Sequence, residues 1–385
     1  MNPTDFTADS PGKLFPISGG THAFVPHALP AGVPMDSEVV HLLAEASQAL
    51  GLLQGLVQSL PSPQILVRPF MRREAELSSR IEGTYANQEE LVLFELDRQT
   101  AADKPDVREV WNYVAAFEYG LKRLQELPVS LMLIRELHGK LMKGVRGHDR
   151  QPGEFRTGQN YIGRKGDPIT KARYVPPPPA ELTACLDAFE KALHTETKQP
   201  FLVRLALIHY QFEAIHPFED GNGRIGRLLL PLLLVGKGIL SHPLIQLSAY
   251  FEQHRREYYD HLRHVSQTGE WQPWIQFFLR AVHQESQEAV RHSRAILELR
   301  NRYLGKMEAV GASVQGLKII DDLVTTPAVT VTGVAKRIRA SYPTAELLVR
   351  KLVKAGILNV DKSRRRNRVF HASEILKLVQ QESGE

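Results

Sequence analysis

The chain has 385 residues, of which 43% are hydrophobic and 24% are charged, and its formal net charge is +5. These values predict a soluble globular protein of two or three structural units and argue against a uniformly basic nucleic-acid binder. The single cysteine, Cys185, excludes an internal disulfide framework. The first residues do not resemble a secretory signal, and no apolar run approaches about 20 residues, so we expect a cytoplasmic protein with no membrane partner.

After a loose start, the first third of the chain is predicted to be helical. Residues 1–35 are rich in Pro, Gly and Thr, which predicts an extended arm with local contacts only. Asp36 begins an amphipathic helix that is predicted to run to Leu60, where a Pro-Ser-Pro sequence closes it. A second helix is predicted from about residue 64 to 82, and the pattern is again helical from 87 to about 145. The aromatic residues predicted to lie in the core of that last region are Trp111, Tyr113 and Phe117.

The end of the second helix, Ser78-Ser-Arg-Ile-Glu82-Gly83, combines a hydroxyl, an acid and a glycine. Ser78 and Glu82 are four residues apart and therefore share one helical face, and Gly83 is a natural stop for the helix. Considered without any relatives, Glu82 is interpreted as a solvated surface acid.

The centre of the chain interrupts the helical pattern once. Glycines in residues 151–163 break the period, and residues 165–174 with the proline run 176–179 predict a β-hairpin with an extended exit. Helices are then predicted at about 180–194 and 200–214.

The sequence His216-Pro-Phe-Glu-Asp-Gly-Asn-Gly-Arg-Ile-Gly-Arg227 follows the second of these helices. Apolar residues at helical spacing precede it, and residues 228–235 are almost wholly apolar, so it is predicted to be a polar loop between two buried helices. Its glycines let the backbone approach a ligand closely. A helix that starts near Asn222 or Gly223 points free N–H groups and the positive end of its dipole at that ligand, which predicts an anion site.

The charged residues of this loop suit a polyphosphate. Arg224 and Arg227 are three residues apart on one helical face and can make paired hydrogen bonds to phosphate groups. Asp220 is a hard oxygen ligand for Mg²⁺ bound to those phosphates, and His216 can accept a proton near neutral pH. Phe218 is interpreted as an apolar anchor into the core.

Helical segments at 248–262 and 272–307 lead to a C-terminal stretch that is predicted to form a separate module. It contains three predicted helices followed by two short strands, which is the winged-helix pattern. The helices are predicted at 314–324, 332–339 and 344–355, and the strands at 356–360 and 367–371. Basic residues in and beside the turn between the strands can contact DNA phosphates or dock a protein. They are Lys362, Arg364, Arg365, Arg366 and Arg368.

The twelve residues 216–227 match the signature His-x-Phe-x-(Asp/Glu)-Gly-Asn-Gly-Arg-x-x-Arg at every fixed position, so the chain resembles the Fic (filamentation induced by cAMP) family. The kinase-like death-on-curing branch carries Ala and Lys in place of Gly221 and Gly223, which disfavours that branch here. The resemblance implies a mainly α fold with a Fic helical core, a β-hairpin flap and a small C-terminal winged-helix domain. The implied units are an N-terminal helical region at 1–128, the Fic catalytic core at 129–300 and the winged-helix-like domain at 314–385.

Family members with this signature transfer AMP from ATP to a Tyr, Thr or Ser hydroxyl of a target protein. By that resemblance His216 takes the proton of the hydroxyl, and Asp220 holds Mg²⁺ between the α- and β-phosphates. The two arginines orient the β- and γ-phosphates. The nucleotide-binding residues that we expect are Gln211, Gly221, Asn222, Gly223, Arg224, Arg227 and Tyr258. For Tyr258 and its neighbour Tyr259, simple packing between helices is the alternative.

The resemblance also changes the interpretation of the second helix. Residues Ser78 to Gly83 fit the inhibitory pattern (Ser/Thr)-x-x-x-Glu-(Gly/Asn), which makes residues 64–83 an inhibitory helix. Glu82 is then expected to pair with Arg227 and to occupy the group meant for the γ-phosphate of ATP. Residues Tyr161 to Val175 correspond to the flap, which holds the target as an added strand.

Three other readings stay open. With Glu82 positioning water, the same site removes AMP from a modified target. A DNA-binding regulator could instead work through residues 314–385, with the Fic core as a nucleotide sensor. A transition-metal site at His216 and Asp220 lacks a further ligand cluster in the sequence. Self-modification and a homodimer are compatible with all of these.

Overall fold

The protein is mainly helical. Its structure, a computed structural model, describes residues 1–60, 62–96, 104–146, 151–164, 166–311, 313–360 and 368–380. The helices are α1 Ser37–Ser59, α2 Gln64–Ile81, α3 Gln88–Leu96, α4 Pro105–Arg123, α5 Leu131–Leu141, α6 Pro179–His194, α7 Phe201–Ile215, α8 Asn222–Gly236, α9 Leu247–Gln253, α10 Arg255–Thr268, α11 Gln272–Ala309, α12 Val314–Thr325, α13 Val331–Ile338, α14 Tyr342–Lys354 and α15 Ser373–Gln380. The strands are β1 Gly12–Ile17, β2 Thr21–Pro26, β3 Ala328–Thr330, β4 Asn359–Val360 and β5 Val369–His371.

The predicted helix limits agree closely with these bounds because local signals set them. The Asp36 side chain accepts a hydrogen bond from the Val39 N–H and caps α1. At the other end of the next helix, Gly83 takes a positive φ of 81°, which a residue with a side chain rarely adopts, and α2 ends there. Trp111, Tyr113 and Phe117 are buried, as predicted. The C-terminal helices were also predicted to within a few residues.

The N-terminal arm is a β-hairpin, and the prediction of an extended arm with local contacts only is wrong. Strands β1 and β2 pair antiparallel across the turn that contains Gly19 and Gly20. Phe24 is buried, and its N–H donates to the carbonyl of Val175, 2.8 Å away. The Thr7 N–H donates to the carbonyl of Gln267. The hairpin therefore packs on the segment that was assigned to the flap and on the end of α10.

Helices α7 and α8 form the centre of the fold. Almost every residue of both is buried, and the motif loop at 216–221 joins them. Helix α2 packs against α4, α8, α9 and α12, so its buried charged residues all lie between other helices. Arg72 is an example, because it pairs with Glu95 and donates to the carbonyl of Thr325 at the end of α12.

The flap differs from the predicted hairpin. Ile162 and Tyr174 form one antiparallel bridge, and a 3₁₀ turn at Ile169–Lys171 lies within the stretch that was predicted to contain a short strand and a turn. The segment still folds back on itself, and the Tyr174 hydroxyl donates to the carbonyl of Ala214 in α7. The segment therefore lies beside α7, the helix that precedes the motif loop, and it is a loop with a single β-bridge.

The C-terminal elements run α12, β3, α13, α14, β4, β5 and α15, and the three strands form one antiparallel sheet in the order β3-β5-β4. Strand β3 and helix α15 were not predicted. Four basic residues of the predicted turn, Lys362, Arg364, Arg365 and Arg366, lie outside the described residues. The winged-helix assignment and the domain boundaries stay predictions. Among the described residues, no helix is long and apolar enough to cross a membrane.

Candidate active site

The motif loop is shaped by two residues in the left-handed region. His216 ends α7 with φ 51° and ψ 61°, and Gly221 has φ 79° directly before α8. Between them Phe218 is fully buried, which agrees with its prediction as an anchor. The ring of His138 stacks on Phe218 with centroids 3.7 Å apart. The loop thus turns the chain sharply between α7 and α8.

His216 is neutral at physiological pH in this environment. Burial, with the nearby charge of Arg156 as a smaller contribution, lowers the pKa of its imidazole to about 4, against opposite effects of Glu82, of a backbone hydrogen bond with Glu213 and of Asp220. A histidine whose pKa lies this low keeps a free nitrogen lone pair at pH 7. It can therefore accept a proton from a hydroxyl group that is brought to it.

Arg156 and His138 hold the loop, and neither was predicted. Arg156 is buried and donates from Nε to the carbonyl of His216 at 2.9 Å and from Nη2 to the carbonyl of Pro177. His138 accepts the Gly153 N–H at Nδ1, so its neutral ring carries its proton on Nε2 and donates to the Asp220 carbonyl, 3.0 Å away. The glycine-rich stretch 151–163 was the signal in the sequence that could have indicated both contacts. Arg156 lies in this stretch, His138 accepts a hydrogen bond from it, and both side chains connect it to the motif loop.

Asn222 and Asp220 have different surroundings. The Asn222 amide bonds both backbone groups of Phe218, each at 2.8 Å, and the side chain is buried. In this structure its side chain shapes the loop, and its role towards a phosphate stays a prediction. The Asp220 carboxylate is half-exposed, accepts the Gly221 N–H and lies 3.7 Å from Arg224. Among the described residues, no group of three or more His, Cys, Asp and Glu side chains is arranged to hold a metal ion.

Arg227 carries the ion pair with Glu82 that the resemblance to the Fic family implied. Its Nη2 donates to Glu82 Oε1 at 2.7 Å, and Ser78 accepts from the same guanidinium through both its hydroxyl and its carbonyl, at 2.9 Å each. Burial raises the pKa of Glu82, but the charge of Arg227 and its hydrogen bond lower it to a value below the ordinary one. The carboxylate is therefore ionised at neutral pH. Gly223 lies directly against the pair, and a Cβ at that position would overlap the Glu82 carboxylate.

Arg224 points to a different helix. Its Nη1 donates to Glu109 Oε2 in α4 at 3.2 Å, and its Nη2 lies 3.7 Å from the Met142 sulfur. Glu109 is buried and also accepts from the Thr84 hydroxyl. Within the described part of the chain, Arg224 Nε and Arg227 Nη1 are buried without a hydrogen-bond partner. Donors of this kind next to a helix N-terminus fit a phosphate-bearing ligand.

A cavity of about 420 Å³ opens beside Glu82. Its walls come from the flap, from α7 and from α10, and they include several charged and aromatic side chains. Its lining residues include Glu82, Arg164, Glu213, Arg255, Tyr259 and Arg263. Burial raises the pKa of Glu213 to about 7, the charge of Arg227 opposing that change. The cavity has the size and polarity of a small-molecule site.

None of the seven predicted nucleotide-binding residues lines this cavity, and two of them, Tyr258 and Gln211, bind other parts of the protein. Tyr258 is fully buried, stacks on Phe251 and shares a 2.8 Å hydrogen bond with His209. Its neighbour Tyr259 lines the cavity. Tyr258 therefore packs between helices in this structure, which was the alternative, and its nucleotide-binding role stays a prediction. Gln211 is buried and donates to the carbonyl of His27 at 2.9 Å, which ties α7 to the N-terminal hairpin.

Known proteins share these features. Residues 40–122 match the N-terminal domain of the Fic/DOC family, and residues 128–234 match the Fic/DOC family itself. Two relatives carry the name protein adenylyltransferase Fic. The protein from Aedes aegypti is 36% identical over 153 residues, which are 39% of this chain and 27% of the relative. The protein from Drosophila yakuba is 31% identical over 190 residues, which are 47% of this chain and 34% of the relative.

The chain thus spans about a third or less of the length of these relatives. Among solved structures, a Fic family protein from Desulfovibrio desulfuricans G20 has the same fold with a TM-score of 0.56 and 20% identity, covering 88% of this chain and 97% of that chain. The signature loop, the two matching domains and the shared fold agree with one another, and residues 40–122 and 128–234 of this chain are the N-terminal domain and the Fic domain described by the Fic/DOC family models.

Proposed function

We propose that this protein transfers AMP from ATP to a hydroxyl side chain of a target protein. The observation that carries the proposal is the motif loop, with a neutral histidine at the end of α7 and two buried arginines in the first two turns of α8. A proton acceptor beside a polyphosphate site is what hydroxyl attack on a phosphorus atom requires. The names of the relatives from Aedes aegypti and Drosophila yakuba support the same reaction.

In this reaction His216 accepts the proton of the target hydroxyl. The hydroxyl oxygen then bonds to the α-phosphorus of ATP, the bond from that phosphorus to the bridging oxygen breaks, and pyrophosphate leaves with the electron pair. The free N–H groups at the start of α8 stabilise negative charge on the phosphates, and Arg227 binds the terminal phosphate. Adenosine would occupy the cavity beside Tyr259.

Mg²⁺ belongs to the same proposal. The Asp220 carboxylate is the oxygen donor at the mouth of the loop, and its half-exposed position leaves room for a hydrated ion that also binds phosphate oxygens. Bound there, Mg²⁺ would offset phosphate charge. The flap would meet the target, because Tyr161 and Ile162 expose their side chains beside the single bridge.

We propose further that Glu82 inhibits this activity. The carboxylate occupies Nη2 of Arg227 and adds negative charge where the γ-phosphate would bind. Removing it frees the guanidinium, which Ser78 still holds in place through two hydrogen bonds. The change Glu82→Gly is therefore expected to increase AMP transfer about 10- to 100-fold, the range that one charge-assisted hydrogen bond supports.

The test measures incorporation of labelled AMP from ATP and Mg²⁺, with cell lysate as the source of targets. The natural chain is compared with Glu82→Gly and with the double change Glu82→Gly, His216→Ala. We expect strong labelling by the single variant and loss of about two to four orders of magnitude in the double variant. Equal labelling by all three proteins would rule out both roles. Release of AMP from a labelled lysate, without incorporation, would support the reverse reaction.

A further inference from the structure

Arg224 forms a buried hydrogen-bonded chain with Glu109 and Thr84. The reaction proposed above gives no role to Glu109 or Thr84. The Thr84 hydroxyl donates to Glu109 Oε2 at 2.9 Å, and Arg224 Nη1 donates to the same oxygen at 3.2 Å. All three residues are buried. The other carboxylate oxygen of Glu109 lies 3.7 Å from Nε of the exposed Arg146.

The position of Glu109 determines what it can do. It lies in the second turn of α4, and its side chain has almost no exposed surface. Because this carboxylate is buried and accepts hydrogen bonds from both Arg224 and Thr84, leaving Arg224 would cost it more than it would cost an exposed carboxylate. One edge of the guanidinium is occupied by Glu109, while Nε is buried without a partner among the described residues.

We propose that Glu109 is a positioning residue for Arg224, and that Thr84 fixes the Glu109 carboxylate in the orientation this requires. An arginine already fixed in one rotamer loses little side-chain entropy when it binds a phosphate. The inference rests on the proposed function, because it concerns how Arg224 meets the polyphosphate of ATP.

The segment that follows α2 would then act on both arginines with opposite effects. Glu82 occupies Arg227, whereas Thr84, two residues later, supports Arg224 through Glu109. Activation therefore requires that the Glu82 carboxylate leave while Thr84 stays docked. Deleting the whole segment would remove inhibition and weaken ATP binding together.

The experiment measures nucleotide binding by calorimetry in a parent protein that carries Glu82→Gly and His216→Ala, so that no transfer takes place. Glu109→Gln keeps the shape of the side chain and removes its charge. We expect it to weaken ATP binding about tenfold, as loss of a charge-assisted hydrogen bond would. Thr84→Val removes only the hydroxyl and is expected to weaken ATP binding about threefold. Adenosine, which carries no phosphate, is expected to bind all of these proteins equally.

Two controls separate positioning from a merely structural role. Arg146→Gln removes the exposed partner of the same carboxylate and is expected to leave ATP affinity unchanged. In a parent that also carries Arg224→Gln, the change Glu109→Gln should no longer affect ATP affinity, because a positioning residue acts only through the group it holds.

Equal weakening of ATP and adenosine, or an undiminished effect of Glu109→Gln without Arg224, would overturn the inference. So would unchanged ATP affinity in both Glu109→Gln and Thr84→Val. If the parent protein binds no ATP at all, the proposed function fails first. If the parent binds ATP and these two variants bind it as tightly, only the positioning role fails.

Discussion

The two carboxylate–arginine pairs on helix α8 have the same chemistry and different access to solvent. In the first pair Glu82 lies 2.7 Å from Arg227, its side chain is 34% exposed, and it borders the cavity. In the second pair Glu109 lies 3.2 Å from Arg224 and its side chain is only 2% exposed. A carboxylate at a cavity wall can be replaced by a ligand or by water, whereas one in the interior cannot. Burial therefore decides which pair can open and which one is permanent.

The largest expected effect is on stability. Glu109→Ala leaves the buried Arg224 without its charged partner, and breaking such a pair is expected to lower the free energy of unfolding by about 3–5 kcal/mol. Glu82→Ala is expected to lower it by about 1 kcal/mol or less, because that pair is partly screened and Ser78 still binds Arg227. Urea denaturation of both variants beside the natural chain measures the difference. Similar losses in the two variants would show that burial does not separate the pairs.

A smaller loss of stability is expected from a substitution at Gly223, because the new side chain would overlap Glu82 and separate it from Arg227. Gly223→Ala places a Cβ against the Glu82 carboxylate, so either that side chain turns away or α8 shifts, at a cost of about 1–3 kcal/mol. In a chain that also carries Glu82→Gly the closest overlap is absent, and the same change should cost less. Denaturation of the four proteins tests this coupling. Strictly additive effects would mean that Gly223 and Glu82 do not meet.

The smallest effect concerns pH, because we expect the influence of Glu82 on AMP transfer to stay constant near neutral pH. The lowered pKa of Glu82 means that the folded protein favours the charged carboxylate. The stabilising contribution of the pair is therefore complete above the ordinary glutamate pKa, and it is lost only as pH falls through the lower folded value. The ratio of AMP transfer by Glu82→Gly to that by the natural chain should stay constant from about pH 8 to pH 5. A ratio that narrows between those values would show that Glu82 gains a proton within that range.

Site residues that lie close together in the sequence could be predicted, whereas partners that lie on separate helices are harder to predict. His216, Asp220 and the two arginines could be predicted because twelve consecutive residues contain them. The pairing of Glu82 with Arg227 could be predicted only through the resemblance to a family, since the two residues lie on separate helices. Nothing in the sequence near Arg224 indicates Glu109, because a partner 115 residues away is set by how α4 packs on α8.

The differences between the predicted and the observed structure have local physical causes. Tyr258 and Tyr259 are consecutive, so their side chains point about 100° apart on a helix, and small changes in helical phase decide which one faces the cavity. The helix is interrupted at His254, between α9 and α10. This interruption sets the rotation of α10 about its own axis, which the sequence pattern does not reveal. The N-terminal hairpin was missed although its Gly19-Gly20 turn is a recognised hairpin signal, because the surrounding proline and threonine content outweighed it.

The left-handed backbone of His216 makes stability and activity compete at one position. A non-glycine residue with φ 51° is strained by about 1–2 kcal/mol, and glycine would adopt this conformation without that cost. Selection for heat resistance alone would therefore favour glycine at residue 216 and would discard the proton acceptor in the same step. The strain persists because the contacts of Arg156, His138 and Asn222 hold the loop in place, so these three residues maintain the geometry of a group that none of them replaces.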